Sequence, residues 1–220
     1  MKTNLRFLAL ICFILPIATV IISYILSIKL NLVSSCIPIF EGCSSISRAG
    51  RYAPVKYFFE PMMYFYTVSL FLYWFYFFQI FKKVNIKSNY IFWLALLSVL
   101  FLCLYVLFLG ESKIYSFFKR IGIYIYILFT VVSQHLISNL LIKNKEKINK
   151  YFYFTYCKAN FYLTSFLVIS GIILLPILII KIENFPEIKN IISWNYFFLI
   201  QLYFLISFFS LKKLSDPTST

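Results

Sequence analysis

Charge is what this chain has least of. Asp, Glu, Lys and Arg together make up 13% of its 220 residues, while 62% are hydrophobic. A soluble domain needs about 25% charged residues to cover its surface, so a water-borne globule is excluded and a bilayer must be the solvent. Acids are scarcer still, at seven against 21 Lys and Arg, which leaves a net charge of +14. Histidine occurs once. A bis-histidine haem needs two facing His, and a binuclear centre needs several His or carboxylates, so no cofactor and no metal are expected. Five glycines leave little scope for close small-residue helix packing, and large side chains must interdigitate instead. No Asn-x-Ser/Thr sequon is present; its absence favours a bacterial source, which would put the protein in the plasma or inner membrane.

Long uncharged runs are what the chain does have. A helix crossing about 30 Å of hydrocarbon needs roughly 20 apolar residues. Six such runs occur, over residues 7–28, 62–81, 90–109, 121–142, 159–180 and 194–211, none holding Asp, Glu, Lys or Arg. The alternating ten-residue pattern of a membrane β-barrel is absent. The fold class is therefore all-α: a single polytopic domain built as a six-transmembrane-helix bundle, with a folded extracytoplasmic loop at 29–61. The stretch Met1–Arg6 before an apolar run resembles a signal peptide. The run is too long for an h-region, however, and no A-x-A site follows, so it is read as the first span.

Alternating the loops between two sides puts twelve basic residues on the side of both termini and nine on the other. The Lys82–Lys87 and Lys143–Lys150 clusters sit in short connections, so the positive-inside rule makes both termini cytoplasmic. Most of the net charge is then juxtamembrane Lys and Arg beside anionic lipid, and a nucleic-acid partner is not expected, because no basic segment forms a domain.

The fourth span is the polar one, with Thr130, Gln134 and Ser138 at i, i+4, i+8, and His135 with Asn139 on a neighbouring line. This face must meet protein or water rather than lipid. One reading is interhelical hydrogen bonding of these polar groups, with Gln79 or Gln201 as partners across the bundle. The other makes His135 a general base in an intramembrane cavity.

Cys36 and Cys43 lie seven residues apart in the first loop, on the oxidising side, where they form either a disulfide or two unpaired thiols. With a single histidine predicted in a span, they are not a zinc site. Cys12, Cys103 and Cys157 fall in or near spans as ordinary small apolar residues. In the same loop Gly50 can take a positive φ, Pro54 fixes its own, and Pro61 suits the first turn of the second long helix. Arg48, Arg51 and Lys56 place three cations at headgroup depth, where guanidinium groups can clamp phosphate. Membrane phospholipid is the expected partner.

The loop run Ile46-Ser47-Arg48-Ala49-Gly50, followed by Pro54 and then Phe59, resembles the I-S-x-x-G-x-x-x-P-x-x-x-x-F signature of the Frag1/DRAM/Sfk1 family of six-span proteins. The matching positions are Ser47, Gly50, Pro54 and Phe59. Members often carry Asp directly after the Ser, where Arg48 here reverses the charge. The resemblance implies a protein concerned with lipids, remodelling lipid anchors or modulating lipid distribution, in a family without an agreed catalytic mechanism. A non-enzymatic lipid-handling role is therefore the leading expectation. One alternative is an acyl-transfer or lipid-remodelling enzyme with His135 as base and Arg48 and Arg51 on the phosphate. Another is a structural subunit held among other membrane subunits.

Overall fold

In the computed structural model, residues 2–109, 113–179 and 186–212 are described. Ile180, at the end of the fifth predicted span, and the loop or tail charges Glu111, Lys181, Glu183, Lys213 and Asp216 lie outside them. The described residues form nine helices: α1 (Lys2–Lys29), α2 (Pro38–Glu41), α3 (Ile46–Ala49), α4 (Lys56–Lys83), α5 (Asn89–Leu107), α6 (Lys113–Lys143), α7 (Lys145–Ile148), α8 (Phe154–Ile179) and α9 (Pro186–Ser210). Six of them, α1, α4, α5, α6, α8 and α9, are long and apolar enough to cross a membrane. The all-α, six-helix, multi-pass architecture is as expected.

Each long helix packs against its neighbours in the chain, and α9 closes back on α1, so the order α1-α4-α5-α6-α8-α9 runs round a ring. Short connections favour this arrangement, because consecutive antiparallel helices bury apolar faces without crossing loops. Two of the turns are built alike. Asn31 (φ 54°) and Asn85 (φ 52°) follow α1 and α4 in the left-handed conformation. The amides of Leu32 and Ile86 then return to the carbonyls of Ser27 and Phe81, each at 2.9 Å. Asn tolerates this conformation better than other side chains, and the reach-back bond satisfies a terminal carbonyl.

Aromatic side chains fill the middle of the ring. Tyr73 and Trp74 of α4 meet edge to face at 4.9 Å, Phe204 of α9 meets Tyr73 at 5.1 Å, and Phe77 packs on Phe81 and Phe152. Such pairs add about 0.5–1.5 kcal/mol beyond the area they bury. Gly122 marks a close backbone approach between α5 and α6: a Cβ there would lie 2.9 Å from the Tyr105 amide nitrogen. Outward faces stay greasy, with Phe65, Trp93, Ile169 and Ile172 all more than half exposed. Several hydroxyls within the helices bond back to carbonyls one turn earlier, as Thr67, Ser138 and Thr164 do at 2.8 Å, which satisfies them without a partner from another helix.

Two local expectations change. The second long helix begins at Lys56, so Pro61 lies inside it rather than in its first turn. Gly50 does not use a positive φ, since its φ is −101°; it is glycine because the Phe59 ring occupies the place where a Cβ would go, with ring carbons 2.5 Å away. The left-handed glycine of the loop is Gly42, at φ 65°.

Candidate functional site

The loop between α1 and α4 is folded over one end of the ring and tied down at several points. Cys36 and Cys43 are joined in a disulfide, with Cα atoms 6.4 Å apart. The Tyr24 hydroxyl of α1 sits beneath them, accepting from the Cys36 amide at 3.3 Å and donating to the Cys36 carbonyl at 3.0 Å. From α9, Asn190 donates to the Gly42 carbonyl at 2.7 Å, Trp194 Nε1 to the Ser44 carbonyl at 2.8 Å, and Asn195 to the Ile39 carbonyl at 3.0 Å. Gly42 is pressed against the Glu187 backbone so closely that no Cβ would fit.

Ser45 caps α3 by accepting from the Arg48 amide at 3.2 Å, and the Ser27 hydroxyl of α1 donates to the Ala49 carbonyl at 2.6 Å. Those anchors fix the direction of the chain just before Arg51. The family-like positions meet physically here: Gly50 and the fully buried Phe59 are in contact. Ser47 lies 3.4 Å from the Ser45 hydroxyl. Pro54, after a cis peptide bond, is exposed.

Under α3 a cavity of about 350 Å³ opens into the ring. Ser45, Ser47, Arg51, Lys119, Arg120, Lys189, Asn190 and Ser193 line its mouth. Deeper walls come from Val20, Met63, Leu102, Tyr105, Ile123, Ile127 and Phe197. At the bottom the Tyr66 and Tyr126 hydroxyls lie 2.9 Å apart, and Tyr66 also donates to the Gln201 side-chain oxygen at 3.3 Å. From Lys189 to Gln201 is twelve residues of α9, or roughly 18 Å at 1.5 Å per residue. That depth is close to one leaflet of hydrocarbon, about 15 Å. Four cations stand at the mouth, and no described lining residue is acidic.

Of the three loop cations read from the sequence, the structure brings only Arg51 to this cavity. Its Nε is buried without a hydrogen-bond partner, and the guanidinium lies 5.9 Å from the Tyr52 ring. Arg48 is exposed and lines a separate shallow depression with Ile28 and residues 31–35. Lys56 pairs with Glu60 one turn along α4, at 3.3 Å. Lys119, Arg120 and Lys189 replace them. In the sequence these three stand among the nine basic residues on the side away from the termini, where the positive-inside rule disfavours cations. Tyr66 and Tyr126 are not marked in the sequence because nothing separates two tyrosines from 18 in a linear reading, while Gln201, expected as an interhelical partner, accepts from Tyr66.

The polar face of α6 divides in two. Thr130, Gln134 and Ser138 are fully buried in the bundle, where Gln134 Nε2 donates to the Ile200 carbonyl at 3.4 Å, rather than to Gln79 or Gln201. His135 and Asn139 are half-buried on the side facing α8. The His135 ring stacks on Phe161 at 5.4 Å, and its Nδ1 lies 3.4 Å from the Thr164 hydroxyl. His135 does not line the cavity, and neither a carboxylate nor a thiol is among its contacts. Among the described residues no group of His, Cys, Asp and Glu is arranged to hold a metal.

Comparison with known proteins returns no match to a family model, a curated protein or a solved structure.

Proposed function

We propose that this is a lipid-handling membrane protein of the Frag1/DRAM/Sfk1 type, without catalysis of its own, which holds the head and upper chain of a membrane phospholipid in the loop-end cavity. One observation carries the reading: a cluster of four cations stands directly above a shaft of apolar and tyrosine side chains, the profile of an amphiphile's headgroup followed by its tail. Its volume, about 350 Å³, falls at the small end of ligand sites, roughly 300–1,000 Å³, and suits a headgroup with the start of one chain rather than a whole lipid. With both termini cytoplasmic by the positive-inside rule, the mouth opens on the extracytoplasmic face. The disulfide-tied cover, and a described lining that holds no His, Cys, Asp or Glu, favour holding a lipid over transforming it.

Native mass spectrometry of the gently extracted protein tests this. Phospholipid adducts surviving detergent removal at a stoichiometry near one are expected. A bare chain, or a chain retained only with other subunits, would overturn the reading, the second in favour of a structural subunit.

A further inference from the structure

The cavity holds a charge that the described residues of its own chain leave unbalanced. Lys119, near the start of α6, is 7% exposed, yet no described acid pairs with it. Its electrostatic neighbours are Arg51 and Arg120, both of its own sign. The buried Nε of Arg51 also lacks a partner. Buried cations are normally paired, because leaving one uncompensated is among the costlier arrangements a fold can hold. Among the described residues the single ion pair is Lys56 with Glu60, outside this cavity. Among the described residues nothing supplies the balancing negative charge, which leaves it to the occupant.

Resting on the lipid reading above, we infer that the occupant carries net negative charge on a phosphate group free of any amine: a lipid phosphomonoester, or a phosphodiester with an uncharged alcohol. Arg51 supplies a planar fork suited to two phosphate oxygens, and Lys119, Arg120 and Lys189 supply point charges around it. A choline or ethanolamine headgroup would bring its own ammonium among four cations with no carboxylate to receive it. The Ser45, Ser47 and Ser193 hydroxyls and the Asn190 amide at the mouth suit a hydroxylated head in place of an amine.

The test uses the full chain in mixed micelles, stripped of co-purified lipid. It is titrated with phosphatidate, phosphatidylglycerol, phosphatidylcholine and, as a headgroup without a tail, inorganic phosphate, reading thermal stability and bound lipid together. Phosphatidate or phosphatidylglycerol should bind at least roughly tenfold more tightly than phosphatidylcholine, the least expected of a charged hydrogen bond. Lys119→Gln and Arg51→Gln should each lose about that factor, while Arg48→Gln, outside the cavity, should lose none. Without lipid, Lys119→Gln should melt higher than the parent, because it removes a cation whose electrostatic neighbours, Arg51 and Arg120, repel it; a merely structural lysine would melt lower when replaced. Equal binding of phosphatidylcholine would overturn the anionic assignment and leave the lipid reading standing. Binding of neither lipid class would overturn both. Inorganic phosphate binding as tightly as phosphatidate would assign the site to a free anion and overturn its lipid source.

Discussion

Substituting Gly50 with alanine isolates the contact that holds the loop against the bundle. Backbone strain does not enter, since φ −101° and ψ 1° at Gly50 are open to any residue. The penalty is purely steric: the new Cβ would meet two Phe59 ring carbons at 2.5 Å, where ordinary contact begins at 3.4 Å. Phe59 is fully buried and has no free side to retreat to, so the ring or α3 must shift by about an ångström, in a range where overpacking costs about 1–3 kcal/mol. Removing the Phe59 ring alone should cost about 3–5 kcal/mol. The double variant Gly50→Ala, Phe59→Ala then relieves the clash, and its loss should fall short of the sum by about 1 kcal/mol or more. Thermal or denaturant unfolding in a single detergent, run on the parent and three variants, measures this cycle. Strict additivity would refute the account of why positions 50 and 59 are glycine and phenylalanine.

Replacing Cys36 and Cys43 together with serine should lower unfolding stability by about 2.5 kcal/mol from the entropy of the small closed loop, and should abolish the mobility difference between reduced and oxidised protein on a gel. Gly122→Ala should separate α5 from α6, because its Cβ would lie 2.9 Å from the Tyr105 nitrogen and 3.1 Å from the Phe101 oxygen. A cost of about 1–3 kcal/mol in the same unfolding assay is expected, and no loss would contradict the close approach. His135→Ala should leave both lipid retention and cellular lipid profiles unchanged, since the imidazole stacks on Phe161 away from the cavity; an altered profile would restore a chemical role for it.

The six spans were legible in the sequence because the bilayer leaves few alternatives: uncharged runs of about 20 residues have nowhere else to go. The fourth helix could likewise be marked as polar, since hydroxyls and amides at i, i+4, i+8 must find partners inside the bundle. Which partners they find was not legible. Gln134 reaches a backbone carbonyl of α9 rather than another glutamine, and such a choice depends on the rotation and depth of two helices far apart in the chain. The loop shows the same division. Gly50, Pro54 and Phe59 stand out through the resemblance to a family signature, but the reason for the glycine is a contact across nine residues that only the folded loop creates. Cations were the hardest to place. Arg48 and Arg51 are three residues apart in the sequence, and the turn after α3 sends one to the outer surface and the other into the cavity. Lys119, Arg120 and Lys189 become its companions because the ring closes α9 onto α1 and brings the loop ends of α6 and α9 together around the cavity.

A phospholipid carrying a photoreactive group in the first part of its acyl chain, incorporated into bilayers with the protein and mapped by peptide sequencing, locates the lipid most directly. The account predicts crosslinks within the cavity, at Tyr124, Ile127, Phe197 and Ile200, diminished by Lys119→Gln. Crosslinks confined to the outward faces, at residues such as Trp93, Ile169 and Ile172, would contradict it.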